Sequence, residues 1–164
     1  MNRKSLFFIA IAAVTFIAGG CLKSNTSTQS NCVANNTGIP TAAEIASLQT
    51  YLTAKSITAT QDSRGFFYTI VAPGTGANPS LSSYITVKYS GSLENGSVFD
   101  APAGNKIFLL SGLIPGWKLG VPLIKKGGSI KLYLPPSLGY GCSAQSTIPA
   151  GSNLIFSIDL IDVQ

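Results

Sequence analysis

Ile114-Pro115-Gly116-Trp117-Lys118-Leu119-Gly120-Val121-Pro122-Leu123-Ile124-Lys125 holds the one helix candidate in a long series of strands. The candidate runs from Gly116 to about Lys125, and Pro122 limits it, because a proline has no N–H to continue a helical ladder. On both sides the apolar residues recur at every second position. Upstream, Phe67 to Val71 reads as a strand, stopped by Pro73-Gly74-Thr75-Gly76. Ile85, Val87 and Tyr89 alternate with Thr86, Lys88 and Ser90, so one face is buried. Glu94-Asn95-Gly96 is a turn with a hairpin signal, and Ile107 to Leu110 is a short strand. Downstream, Ile130, Leu132 and Leu134 alternate with Ser129, Lys131 and Tyr133, and Leu154, Phe156, Ile158 and Leu160 form the apolar face of a last strand. Many strands and one short helix predict an α+β fold: a curled antiparallel β-sheet wrapped around that helix, burying Trp117, Val121 and Ile124.

Before Gly65 the pattern differs. Thr41 with Glu44 three residues on is a capping-box pattern, and Ile45, Leu48 and Leu52 follow at helical spacing. This predicts a helix over about residues 41–55 with one apolar stripe, to be docked on its own domain or on a second copy. Residues 22–38 are rich in Ser, Thr, Asn and Gln without an apolar period and read as a flexible tether. The first twenty residues read as a secretory signal: Arg3 and Lys4, then an apolar run from Leu6 to Ile17, then Ala18-Gly19-Gly20. That run is too short to span a bilayer comfortably, which takes about 20 residues. The expected organisation is therefore a signal peptide at 1–20, a cysteine and tether at 21–40, a helical extension at 41–64 and a domain at 65–164.

The Ala-Gly-Gly-Cys ending resembles a bacterial lipobox. That resemblance implies cleavage before Cys21 and acylation of Cys21, hence a membrane anchor and an exported lipoprotein. Leu22 stands where many inner-membrane lipoproteins keep an Asp, which makes the periplasmic side of the outer membrane the expected site. Loss of Arg3 and Lys4 takes the formal charge from +5 to +3. Lys125, Lys126 and Lys131 cluster only weakly and read as a solvated face rather than a nucleic-acid site. Two further cysteines, Cys32 and Cys142, are an even pair in an exported chain, where a disulfide between them is expected.

The chemistry is bounded by what is missing. The chain has no histidine, which excludes a Ser-His-Asp triad, a Cys-His pair and histidine metal ligands. It has six carboxylates, and Gly74-Thr75-Gly76 lacks the Gly-Lys-Ser/Thr ending of a phosphate loop. No metal or cofactor is expected. One reaction needs none of this machinery. The cis/trans barrier of an X–Pro bond, about 18–20 kcal/mol, comes from amide resonance. A dry pocket that fits the twisted amide better than either planar form lowers it.

Five blocks carry a resemblance. They are Val87-Lys88-Tyr89-Ser90-Gly91-Ser92-Leu93, Gly96-Ser97-Val98-Phe99-Asp100, Phe108-Leu109-Leu110 followed by Leu113-Ile114-Pro115-Gly116-Trp117, Leu138-Gly139-Tyr140-Gly141, and Ile148-Pro149-Ala150-Gly151-Ser152-Asn153-Leu154-Ile155-Phe156. In this order they resemble the FKBP-type peptidyl-prolyl cis/trans isomerases, the macrolide-binding immunophilins, over about residues 65–164. The resemblance implies a pocket floored by Trp117 and walled by Tyr89, Phe99, Leu113, Ile114 and Phe156. The Ile114 N–H would bond a substrate carbonyl, Tyr140 would offer a phenolic donor, and Ile148 a lid contact. Asp100 stands where the family keeps its pocket carboxylate, and Phe108 is the candidate for the remaining aromatic wall. Proline-containing, partly folded polypeptides are the implied substrates, and macrolides the implied inhibitors. The alternative is a module on the same fold that binds clients or a partner without catalysis. Departures are Lys88 where many relatives have His, the short loop Ala101 to Asn105, Pro122 within the short helix, and Cys142 in the loop before Ile148.

Overall fold

The computed structural model describes residues 38–164. The leader, Cys21, Cys32 and the tether up to residue 37 lie outside the described residues. Helix α1 runs Ala42–Ala54, one residue inside the expected span at each end. Its capping box is complete: the Glu44 N–H donates to Thr41 Oγ1 at 3.2 Å, and the Thr41 N–H donates back to Glu44 Oε2 at 2.7 Å. Two of the four orphan donors of the first turn are thereby met within the sequence Thr-x-x-Glu.

Seven strands follow: β1 (Thr60–Gln61), β2 (Phe67–Ala72), β3 (Tyr84–Leu93), β4 (Val98–Asp100), β5 (Lys106–Leu109), β6 (Ser129–Leu134) and β7 (Leu154–Val163). They form one sheet in the order β1-β2-β6-β7-β3-β4, with β5 also paired to β3. All pairings are antiparallel. The hairpin at Asn95-Gly96 closes as its sequence requires. Leu93 donates to Ser97 O at 2.9 Å, and Gly96 takes φ +88°, a conformation open to a residue without Cβ. The helix within the strand series is α2, Pro115–Gly120. It is shorter than the expected span because the chain tightens into a 3-10 turn, Val121–Leu123, where Pro122 cannot donate.

The concave face of the sheet wraps α2. Trp117, Val121 and Ile124 are buried there with Ile85, Val87, Ile130, Leu132, Leu134, Leu154, Phe156, Ile158 and Leu160, the alternating residues of β3, β6 and β7. The period-two pattern is thus the cause of the core: each strand spends every second side chain on the same interior.

The outer face is covered in part by α1. Leu48 and Leu52 pack on Phe67 of β2 and Tyr133 of β6, forming a second apolar cluster on the far side of the sheet. The Ile45/Leu48/Leu52 stripe therefore docks on its own chain. Tyr133 stands at a position the alternation aims outward, and it is buried because the helix lies over it.

Candidate active site

Gly91 is the narrow point around which the site forms. It pairs with Asp100 of β4 on one side and with Phe156 of β7 on the other. The β3–β4 register shifts there: Gly91 faces Asp100 while Ser92 faces Val98, so Phe99 is the extra residue of a bulge. A bulge re-aims a side chain, and here the Phe99 ring lies over the glycine. A Cβ on Gly91 would stand 2.5 Å from Phe99 and 2.8 Å from Phe156. The two rings meet edge to face, with centroids 5.6 Å apart.

Trp117 lies beneath. Its indole meets Tyr89, Phe156 and Phe108 edge to face, at 5.2, 5.3 and 6.3 Å between centroids. T-shaped contacts place positive ring edges against negative ring faces, the favoured aromatic geometry. Trp117 is 4% exposed. Its Nε1 is buried with no hydrogen-bond partner among the described residues. Leu113 and Ile114 precede it, half buried, in the short link between the 3-10 turn Leu110–Gly112 and α2. The Ile114 carbonyl is spent on the Trp117 and Lys118 N–H groups, whereas the Ile114 N–H makes no backbone hydrogen bond among the described residues.

These side chains line a cavity of about 360 Å³ that is open to solvent on one side. All ten residues that the sequence assigns to the site border it: Tyr89 from β3, Phe99 and Asp100 from β4, Phe108 from β5, Leu113 and Ile114 from the link, Trp117 from α2, Tyr140 and Ile148 from the β6–β7 connection, and Phe156 from β7. Lys88, next to Tyr89, is exposed and not among the lining residues. Three lining residues were not foreseen: Gln145, Ser146 and Thr147. They ride on a tight turn in which Gln145 and Ile148 exchange backbone hydrogen bonds of 2.9 and 2.7 Å, with Ser146 at φ +47°. Their only sequence signal is their place between Tyr140 and Ile148.

The polar lining residues are Tyr89, Asp100, Tyr140, Gln145, Ser146 and Thr147. The Tyr89 hydroxyl donates to Asp100 Oδ2 at 2.6 Å, the short distance of a charge-assisted bond. Burial raises the Tyr89 phenol well above its ordinary pKa, and the bond to Asp100 raises it further. Burial also raises Tyr140, helped by the Asp100 charge. Both phenols therefore stay protonated donors at any ordinary pH. Among the described residues no group of three or more His, Cys, Asp or Glu could hold a metal ion. Cys142, in the same connection as Tyr140 and Ile148, is disulfide-bonded. The site presents an apolar floor over an indole, with neutral donors at the rim.

A family model described as FKBP-type peptidyl-prolyl cis-trans isomerase matches residues 76–161, just over half of the chain. The chain belongs to this family. Among curated relatives, the FKBP-type peptidyl-prolyl cis-trans isomerase FkpA of Escherichia coli K12 is 43% identical over 105 residues, covering 62% of this chain and 39% of that one. The chain spans about two fifths of the length of the relatives it matches first. Among solved structures, the crystal structure of FkpA from Escherichia coli superposes with a TM-score of 0.68 at 37% identity, covering 75% of this chain and 60% of that one. A peptidyl-prolyl cis-trans isomerase from Pseudomonas syringae superposes at 0.66 and 27% identity, covering 76% and 96%. Family membership accounts for the curled seven-stranded sheet and the short helix. Helix α1 lies wholly before the matched segment.

Proposed function

We propose that this chain catalyses cis/trans isomerisation of X–Pro bonds in exported, partly folded polypeptides. The observation that carries the reading is the Trp117 floor, ringed edge to face by Tyr89, Phe108 and Phe156 within a cavity of about 360 Å³. A proline ring would lie on the indole, out of water. Its amide loses resonance as it twists, and a dry site penalises the twisted form less than water does. The Ile114 N–H would hold the carbonyl next to the rotating bond. Tyr140 would donate from the rim, and Asp100 would keep the Tyr89 phenol turned into its place. Leu113, Phe108, Ile148 and Phe156 would act through shape. No bond to substrate is made or broken, so neither nucleophile nor cofactor enters.

The finer reading is a membrane-anchored form. Cys21 would carry the lipid, residues 22–40 would be the tether, 41–64 the helical extension and 65–164 the isomerase domain, placed on the periplasmic side of the outer membrane. Acylation consumes the Cys21 thiol, which leaves Cys32 as the partner for Cys142. A disulfide-bonded Cys142 accords with an oxidising compartment. Macrolides would compete for the same floor.

The test is isomerisation of a proline tetrapeptide by the full chain in detergent, with and without a macrolide. Acceleration that the macrolide suppresses is expected. A folded chain that leaves the rate at background refutes catalysis, and suppression of client aggregation by that same chain would then support a binding module.

A further inference from the structure

Tyr140 stands on a turn held from two sides: from within, Leu138 is buried in the main core and the Gly151 N–H donates to Gly141 O at 2.9 Å, and from outside it is held by α1. The turn opens with Pro135 and Pro136, neither of which has an N–H. Ser137 therefore carries the first backbone donor of the short 3-10 helix Pro136–Leu138, whose cap residue, a proline, supplies no side-chain acceptor. The acceptor comes from α1. Glu44 Oε1 takes the Ser137 N–H at 3.0 Å, and the Ser137 hydroxyl lies 2.7 and 2.9 Å from its two oxygens. The same carboxylate takes the Thr41 N–H at 2.7 Å, with Thr41 Oγ1 at 3.1 Å. Glu44 is 4% exposed and has no cationic partner among the described residues. A carboxylate is buried at low cost only when donors surround it, and here the donors come from two separate segments.

From Ser137 the hold passes directly to the site. Gly139 and Gly141 both donate to Pro136 O, at 2.9 and 2.8 Å, so the backbone on either side of Tyr140 is tied to the turn that Glu44 caps. We propose that Glu44 is a positioning residue for the isomerase site: from α1, which precedes the segment matched by the family model, its carboxylate helps set the 136–141 turn and, through it, the Tyr140 phenol. The proposal rests on the reading of the cavity as a prolyl site. Glu44→Gln keeps the shape of the side chain but places an NH2 against donors, so one of the two segments loses its acceptor.

The experiment compares the full chain in detergent with Glu44→Gln, Thr41→Ala, Tyr140→Phe and the Glu44→Gln/Tyr140→Phe pair. It reads tetrapeptide isomerisation and amide hydrogen exchange. Glu44→Gln is expected to lower kcat/KM by about fivefold. It should lower it by less than about twofold when Tyr140 is already Phe, because residues acting as one unit are not additive. Thr41→Ala, which weakens the helix cap and leaves the Ser137 contacts, should match the parent. The amides of residues 137–141 should exchange faster in Glu44→Gln, with those of β2 unchanged. Should Glu44→Gln fail to fold, Ser137→Ala removes one contact from the turn side and should move both readouts the same way. Parental kcat/KM or parental exchange in Glu44→Gln, or an equal loss in the Tyr140→Phe background, overturns the proposal. A parent without isomerase activity refutes the prolyl reading instead, and the exchange arm alone then decides whether Glu44 holds the turn.

Discussion

Phe99 has its place because Gly91 has no side chain. Gly91→Ala would drive a Cβ into the Phe99 and Phe156 rings, so kcat/KM should fall by about tenfold or more even where the fold survives. Phe99→Ala and Asp100→Ala should likewise lower kcat/KM by about tenfold, with a smaller effect on the melting temperature, since Phe99 is half buried and Asp100 exposed. The chain has no histidine, and both rim phenols are raised. Activity should therefore be flat between about pH 6 and about pH 9. Stability follows the same groups. Tyr89 and Tyr140 have folded pKa values above their unfolded ones. Their contribution is complete below the unfolded phenol value of about 10 and is lost as pH rises through the folded values. Denaturant midpoints taken on either side of that value should fall on the alkaline side; a rise there would contradict the assignment. At this scale the ten expected residues could be placed together at one cavity because five ordered blocks resemble those of a known family. Gln145, Ser146 and Thr147 could not, since three polar loop residues carry no period. What brings them to the cavity is the backbone exchange between Gln145 and Ile148.

Helix α1 could be read from Thr41, Glu44 and a stripe at helical spacing, but its docking site could not. Phe67 and Tyr133 occupy alternate strand positions that look solvent-facing until a helix is laid over them. Leu48 is fully buried in that contact, and Leu48→Ala should cost about 2–5 kcal/mol, seen as a lower urea midpoint. An unchanged midpoint would mean that α1 contributes no packing to the fold. The length of α2 was overestimated for a related reason: Pro122 leaves room for a 3-10 turn, and periodicity alone does not separate that from another helical turn.

For the whole molecule, a disulfide from Cys32 to Cys142 would tie the N-terminal region to the connection that carries Tyr140 and Ile148. Reduction should add two hydrogens to the intact mass and lower the denaturant midpoint. A Cys32–Cys142 bridge would close a loop of roughly 100 residues, for which the chain-entropy view gives about 4.7 kcal/mol. An intact mass unmoved by reductant would remove that element of the reading. The curled sheet was legible from alternation, but the strand order was not, because period two says which face a residue takes and not which neighbour a strand finds.

That order has a consequence for how the chain comes to fold. β7, the last strand in sequence, lies between β6 and β3. Until residues 154–163 are available, β2 and β6 on one side and β3, β4 and β5 on the other are two half-sheets with no seam between them. A chain made from its N-terminus onward therefore cannot close this sheet until residues 154–163 have emerged, and the two halves must wait for that strand to join them.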